Sequence, residues 1–357
     1  GLTAGRINSD HALFPYYTAD KVSDGRSYTG PCTAIKVRDE HTVWLWEPFS
    51  DAEEGLWKYE RNIYKNTSGS KVYFEEINHD LALVFQYGWM SSDRFGLVRH
   101  CRILNRSGKP VSLEILDGCR NILPACVSAD FQNSNSVLLD AYKKTDLETE
   151  HNIALFSVSS IVTDKAEPNE GLLANIGWFS DEGKVYLSPD TPTVFRSGRP
   201  LPADTVVKGQ RPAFFLFKEA RLDQSPSGAE ADWYQVFDTS LDVSQIVSLG
   251  KILDNRAAAT KALEEDVAAG ASALERYIAL ADGLQETADL EMCVHHEANV
   301  LFNVMRGGVF ADNTRISISD FVASIRERNT AEAAGLEQLV CGLGPEAEYA
   351  QIEELVR

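Results

Sequence analysis

The sequence predicts a mainly β protein with C-terminal helices: antiparallel sheets packed face to face, followed by a helical unit. Two observations carry this. Up to about residue 250 the chain is rich in Val, Ile, Phe, Tyr, Trp and Thr, in short runs broken by Gly, Pro, Asn and Asp, which is how strands and their turns read. After Asn255 the composition changes to Ala, Glu, Leu and Arg, and apolar residues recur at three- and four-residue steps, the period of an amphipathic helix. Strands without helical periods between them argue for antiparallel pairing and against a doubly wound parallel sheet. The expected division is a β domain over 1–252 and a helical linker with the start of a helical domain over 253–357.

Taken in order, strands are expected over 43–47, 71–77 and 81–89. Next, Leu97, Arg99, Cys101 and Ile103 alternate with Val98, His100, Arg102 and Leu104, and the turn-rich 105–110 leads into Val111, Leu113 and Ile115. This is the clearest hairpin pattern in the chain. Further strands are expected over 154–163, 184–187, 205–208 and 213–220. Leu263, Val267, Ala271, Leu274, Ile278 and Ala281 then mark one long helix, and Thr287, as N-cap, opens a second through Leu290, Val294, Leu301 and Met305 to Gly307 and Gly308. Ser317 with Asp320 resembles a capping box for a third. Pro345 stands where a first-turn proline would open a last helix through Tyr349, Ile352 and Leu355.

The 357 residues include 53 acids against 34 bases, a net charge of -19. Such a surface repels nucleic-acid phosphates and anionic lipid, so neither nucleic acid nor a membrane is expected as partner. The longest apolar runs, 81–85 and 213–217, are far shorter than the roughly 20 residues of a spanning helix. Six cysteines without CxxC spacing suggest reduced, mostly buried thiols rather than a disulfide framework or a zinc site. The N-terminus shows no charged-then-apolar leader, so either the chain is cytoplasmic or a leader has been removed, and the cytoplasm is the expected location.

No GxGxxG, Walker-type or GxSxG motif is present, so no cofactor is expected. Glu291, His295, His296 and Glu297 come nearest to a metal cluster, but HExxH is not met, a polar helix face is favoured, and no metal is expected. Glu75, Glu76, Asp164, Glu167 and Asp20 are acid/base candidates by abundance alone, each better read as solvated surface. The aromatic stretches say more. Sugars present apolar C–H faces edged by hydroxyls, and their sites combine flat rings with carboxylates, amides and guanidinium groups. Stretches 14–21, 43–49 and 86–89 have that mixture. The candidate carbohydrate-binding residues are Tyr16, Tyr17, Asp20, Lys21, Trp44, Trp46 and Glu47. In the strand, Trp44 and Trp46 share one face, for which core packing is favoured over ligand contact, and Glu47 lies on the other. For the Pro-containing loop of Tyr16, Tyr17, Asp20 and Lys21 the two readings are balanced.

Several segments together carry a resemblance: 10–21 followed by Tyr28-Thr-Gly-Pro31, Trp46-Glu-Pro-Phe49, Arg61-Asn-Ile-Tyr-Lys-Asn66, Phe74-Glu-Glu-Ile-Asn-His79, Leu116-Asp-Gly118 with Asn121-Ile-Leu-Pro124, and 299–308. They resemble the N-terminal part of large bacterial proteins similar to cellobiose phosphorylase and other β-glucan-active glycoside phosphorylases. That resemblance implies a β-supersandwich of galactose-mutarotase type, a helical linker, and an (α/α)6 barrel that holds the catalytic acid and the phosphate or water site. About 100 helical residues fall short of the twelve helices of such a barrel. The expected role is therefore a non-catalytic supersandwich and linker, acting as scaffold, interface and rim of an oligosaccharide site, with a downstream or separate (α/α)6 domain as partner. No catalytic residue is assigned to this chain. Leu336, Leu339, Val340, Ile352 and Leu355 are expected to form an exposed apolar patch that favours association with a second copy. Two alternatives stand beside this. One is a self-sufficient carbohydrate-binding module. The other is a mutarotase-type epimerase, which needs a histidine with a carboxylate; of His11, His41, His79, His100 and His151, His79 beside Asp80 and near Glu75 and Glu76 comes first.

Overall fold

The computed structural model describes residues 11–15, 25–38, 42–51, 54–158, 173–223, 229–281, 283–285, 287–305, 315–328, 330–340 and 342–356. The chain divides into two compact units, Gly1–Lys65 with Lys71–Ala268, and Asn66–Ser70 with Ala269–Arg357. It is mainly antiparallel β, with its helices concentrated in the C-terminal part.

Two sheets make up the first unit. The smaller has five strands: β1 (Gly30–Arg38), β2 (Val43–Trp46), β7 (Val111–Arg120), β11 (Lys184–Tyr186) and β13 (Ala213–Leu222), in the order β11-β13-β7-β1-β2. The larger holds β3 (Tyr59–Lys65), β4 (Val72–Asn78), β5 (Leu83–Ser92), β6 (Gly96–Asn105), β8 (Lys143–Glu148), β9 (Ile153–Val158), β10 (Leu173–Phe179), β12 (Val206–Lys208) and β14 (Ala229–Asp242). Its order is β12-β8-β9-β10-β14-β6-β5-β4-β3. Alternation decides the layers. Leu83 and Phe85 of the large sheet, with Cys101 and Ile103, meet Ile35, Val37, Leu113 and Ile115 of the small one in a single buried core. Residues of the other parity on the large sheet, among them Val98, Ile176, Trp178 and Val236, bury against helices α3 (Val243–Leu253) and α4 (Arg256–Leu280) through Ile246, Leu249, Leu253, Leu263 and Val267.

One expectation fails here. The pattern over 97–115 reads as a hairpin, yet β6 pairs with β5 and β14 while β7 pairs with β1 and β13. The turn at 105–110 carries the chain from one sheet to the other. Alternation fixes which side of each strand is apolar and leaves the partner open; here the two apolar sides face each other across the sandwich. On β7, Gly118 permits the close approach of β13, since a Cβ there would stand 2.1 Å from the backbone oxygen of Phe214.

The smaller helices are α1 (Ala129–Asp140) and α2 (Thr191–Arg196) in the first unit, then α5 (Leu290–Met305), α6 (Ile318–Arg328), α7 (Thr330–Val340) and α8 (Tyr349–Val356). The N-cap of α5 is Asp289 rather than Thr287: Asp289 Oδ1 accepts from the backbone N–H of Met292 at 3.2 Å, and Thr287, two residues earlier, accepts from the Asp289 N–H. Gly307 and Gly308 lie outside the described residues. Ser317 Oγ accepts from the Asp320 N–H as expected of a cap, at 3.4 Å. Pro345 does not open α8: a short strand, Glu346–Glu348, intervenes and pairs with Arg315–Ser317. Of the expected apolar patch, Val340 and Ile352 are buried together with Ile318 and Ala347. Leu339 and Leu355 stay exposed and Leu336 is half-buried. The last helices thus bury part of that face against each other.

Candidate functional site

Strand β2 pairs only with Ile35–Arg38 of β1, which leaves Pro31, Cys32 and Thr33 on an edge that β2 does not cover. After Trp46 the chain turns away. Ser50 N–H bonds the Glu47 carbonyl at 3.0 Å across Pro48 and Phe49, and Phe49 has φ +65°. Proline followed by a left-handed residue is the pattern of a type II turn, which normally places glycine third. A phenylalanine there is strained and persists only where its surroundings impose it. Glu76 supplies that constraint: it is buried, accepts from the Phe49 N–H at 2.7 Å, and holds Trp46 Nε1 and Arg61 Nε at 2.8 Å each.

Between that edge and this turn lies a cleft of 550 Å³. Its wall includes Thr33, Glu47, Phe49, Ser50, Arg120 and Arg196. Arg120 arrives from the last position of β7, paired with Gly30. Arg196 arrives from the end of α2, which packs Phe195 on the outer face of the small sheet. Glu47 is buried and receives Arg196 through Nε at 2.8 Å and Nη2 at 2.7 Å. At the rim Arg26 and Asp51 form an exposed pair at 2.7 Å. Burial raises the Cys32 thiol above its ordinary value, and the positive charges of Arg120 and Arg196 pull against that. The cleft thus offers carboxylate, guanidinium and hydroxyl groups beside a half-buried ring, within hydrogen-bonding reach of a polyhydroxylated ligand.

Of the sequence-predicted residues, Glu47 lines this cleft. Trp46 has no exposed surface and its indole belongs to the inter-sheet core; Trp44 packs half-buried against that core. Neither ring is presented as a stacking platform. Tyr16, Tyr17, Asp20 and Lys21 lie outside the described residues, as do Asp164 and Glu167. Glu75 and Glu76, read as solvated surface, are buried instead. Burial raises the Glu75 carboxyl, but hydrogen bonds from Gln86, Asn62 and Tyr64 outweigh it and hold the group below the usual carboxylate value. A carboxyl so held stays ionised at neutral pH and is not a proton donor. His79 is exposed, 3.8 Å from Glu60. His100 is better placed than His79 for proton relay, with Tyr73 Oη at 3.1 Å from Nδ1 and Asp232 at 3.3 Å from Nε2. Among the described residues the one group whose ligand atoms gather within 4.8 Å is Glu148, Glu150 and His151; the helix residues Glu291, His295, His296 and Glu297 are not part of it. Arg120 and Arg196 were missed by sequence reasoning, and Glu76 was named there but read as solvated surface. Strand alternation through Val111 could have put Arg120 opposite the core residues, while nothing local marks Arg196.

No family model and no curated protein matches the sequence. Similar solved structures include a bacterial glucoamylase complexed with acarbose, with TM-score 0.37 and 8% identity over 67% of this chain and 31% of that one. A protein assigned as a kojibiose phosphorylase, from the human microbiome, has TM-score 0.33 and 11% identity over 75% of this chain and 27% of that one. The chain therefore spans about a third or less of the length of each. Within the described residues no helix is long and apolar enough to cross a membrane.

Proposed function

We propose that this chain is the non-catalytic β-sandwich and linker of a carbohydrate-active enzyme, glycoside phosphorylase or hydrolase, acting on β-glucan-type oligosaccharides. In this reading the cleft at Glu47 is its contribution to the glycan site. The observation that carries the proposal is the composition of that cleft, in which Glu47, Arg196, Thr33 and Ser50 surround open space next to the Phe49 ring. Of the segments that carry the sequence resemblance, Trp46-Glu-Pro-Phe49 supplies Glu47, Pro48 and Phe49 to the cleft wall, and Asp117 and Gly118 of Leu116-Asp-Gly118 pair with Thr33 and Cys32 of that wall. The chemistry of bond cleavage is assigned to a helical domain beyond this chain's own residues.

Calorimetric titration with cellobiose to cellotetraose tests it. Saturable heat is expected with a dissociation constant on the order of 1 mM, about 4 kcal/mol of binding, as for a rim lacking the rest of its site. Asp51→Ala on the exposed rim and Glu47→Gln within the cleft should each weaken binding, the second by about tenfold because Arg196 loses its charged partner. Flat titrations of the folded wild type up to tens of millimolar would remove the proposal.

A further inference from the structure

Among the described residues the charges of the cleft do not balance: three arginines line it, Arg26, Arg120 and Arg196, against two carboxylates, Glu47 and Asp51. The carboxylates are committed: Glu47 holds Arg196 through Nε and Nη2, and Asp51 holds Arg26 at the rim. Arg120 is the remainder. Among the described residues it makes no hydrogen bond or ion pair, and its Nε is buried without an acceptor. Its backbone stands at the end of β7, paired with Gly30 of β1 on one side and Ala213 of β13 on the other, so strands on both sides hold the position from which the side chain enters the cleft.

Resting on the reading just given, we propose that the cleft selects acidic glycans, with Arg120 as the anchor for the anionic group, a carboxylate or a phosphate ester. The guanidinium presents donors in a planar fork that matches two oxygens of either group. Glu47 with Arg196, and Thr33 and Ser50, make up the polar wall beside it. The whole chain carries -19, so no long-range field draws anions to it; a preference for them has to come from a local, unneutralised cation. The Cys32 thiol senses that cation: after burial, the Arg120 charge acts on it more strongly than Arg196 or Glu47.

The experiment is a three-arm calorimetric comparison on the full chain. One arm uses a neutral gluco-disaccharide, one the same disaccharide ending in glucuronate, and one a glucose phosphate. Wild type should bind at least one acidic ligand about tenfold more tightly than the neutral one, and that preference should shrink as ionic strength rises from about 20 to 300 mM. The stronger acidic arm identifies carboxylate or phosphate as the natural group. Arg120→Gln should weaken the acidic ligand about tenfold more than the neutral one, and Arg120→Lys should recover part of the loss. Equal wild-type affinity for neutral and acidic ligands overturns this inference and leaves the glycan reading standing. An acidic preference that survives Arg120→Gln in a folded variant also overturns it. Absence of binding in all three arms removes the glycan reading itself.

Discussion

Arg99 and Asp117 meet in the middle of the sandwich, both without exposed surface. The pairing is bidentate, Nη1 to Oδ2 at 2.8 Å and Nη2 to Oδ1 at 2.9 Å. Asp117 also accepts from Thr33 at 2.6 Å and Trp233 Nε1 at 2.8 Å, and the Arg99 guanidinium lies 4.9 Å from the Tyr87 ring centre. Burial alone lowers the Arg99 pKa, but the Asp117 charge overcomes it and drives it well above the ordinary value. Nearby, burial pushes the Cys119 thiol up to about 12, so it stays protonated. Desolvating two charges consumes most of what their attraction gives, whereas removing one partner leaves the other uncompensated. Asp117→Asn should therefore destabilise the β unit by about 3–5 kcal/mol. The double variant Arg99→Met with Asp117→Leu should be less destabilised than either single change. Urea unfolding monitored by tryptophan emission checks both; a double variant worse than both singles would contradict the account. Thr33 belongs to this network and to the cleft wall, so Asp117→Asn should also weaken glycan binding.

At the scale of elements, α3 is tied at both ends. Asp242 and Gln245 form a capping box at its start. At its other end Asp254 meets His151 Nε2 at 3.0 Å, and Glu148 meets Nδ1 at 3.1 Å. Two carboxylates on two ring nitrogens call for the imidazolium, and the bond to Asp254, against some burial and with help from Glu148, raises the His151 pKa. Glu150 adds to the same field, and the Arg256 guanidinium bonds the His151 carbonyl oxygen. Since the folded value lies above the ordinary 6.5, this contribution is complete below about pH 6.5 and fades as pH rises through the folded pKa. The melting-temperature difference between wild type and His151→Gln should be largest near pH 6 and decline toward pH 9; a difference independent of pH would refute it. None of this coupling is visible in the sequence, because His151 and Asp254 are joined only by the fold. The same limit governs the rest. The existence of strands was legible in alternation, as at 97–104, but the partner of β7 was not. Glu47 was legible from its aromatic neighbours, while Arg196, 149 residues away, was brought to it by a helix too short to leave a periodic trace.

For the whole molecule, the two units differ sharply in what they bury. All six tryptophans, at positions 44, 46, 57, 89, 178 and 233, belong to the first unit, whose inter-sheet core runs from Leu13 to Phe237. The second relies on a small cluster, Ile318, Val340, Ala347 and Ile352, with Leu290, Met292, Phe302 and Met305 of α5 well exposed. Buried apolar area is the dominant stabilising term, and the surface exposed on unfolding sets sensitivity to denaturant. The helical unit should therefore unfold first and with a shallower transition. In urea, ellipticity at 222 nm should begin to fall while tryptophan emission still reports a native β unit, and Asp117→Asn should move only the emission transition. Coincident curves from the two probes would instead establish one cooperative molecule.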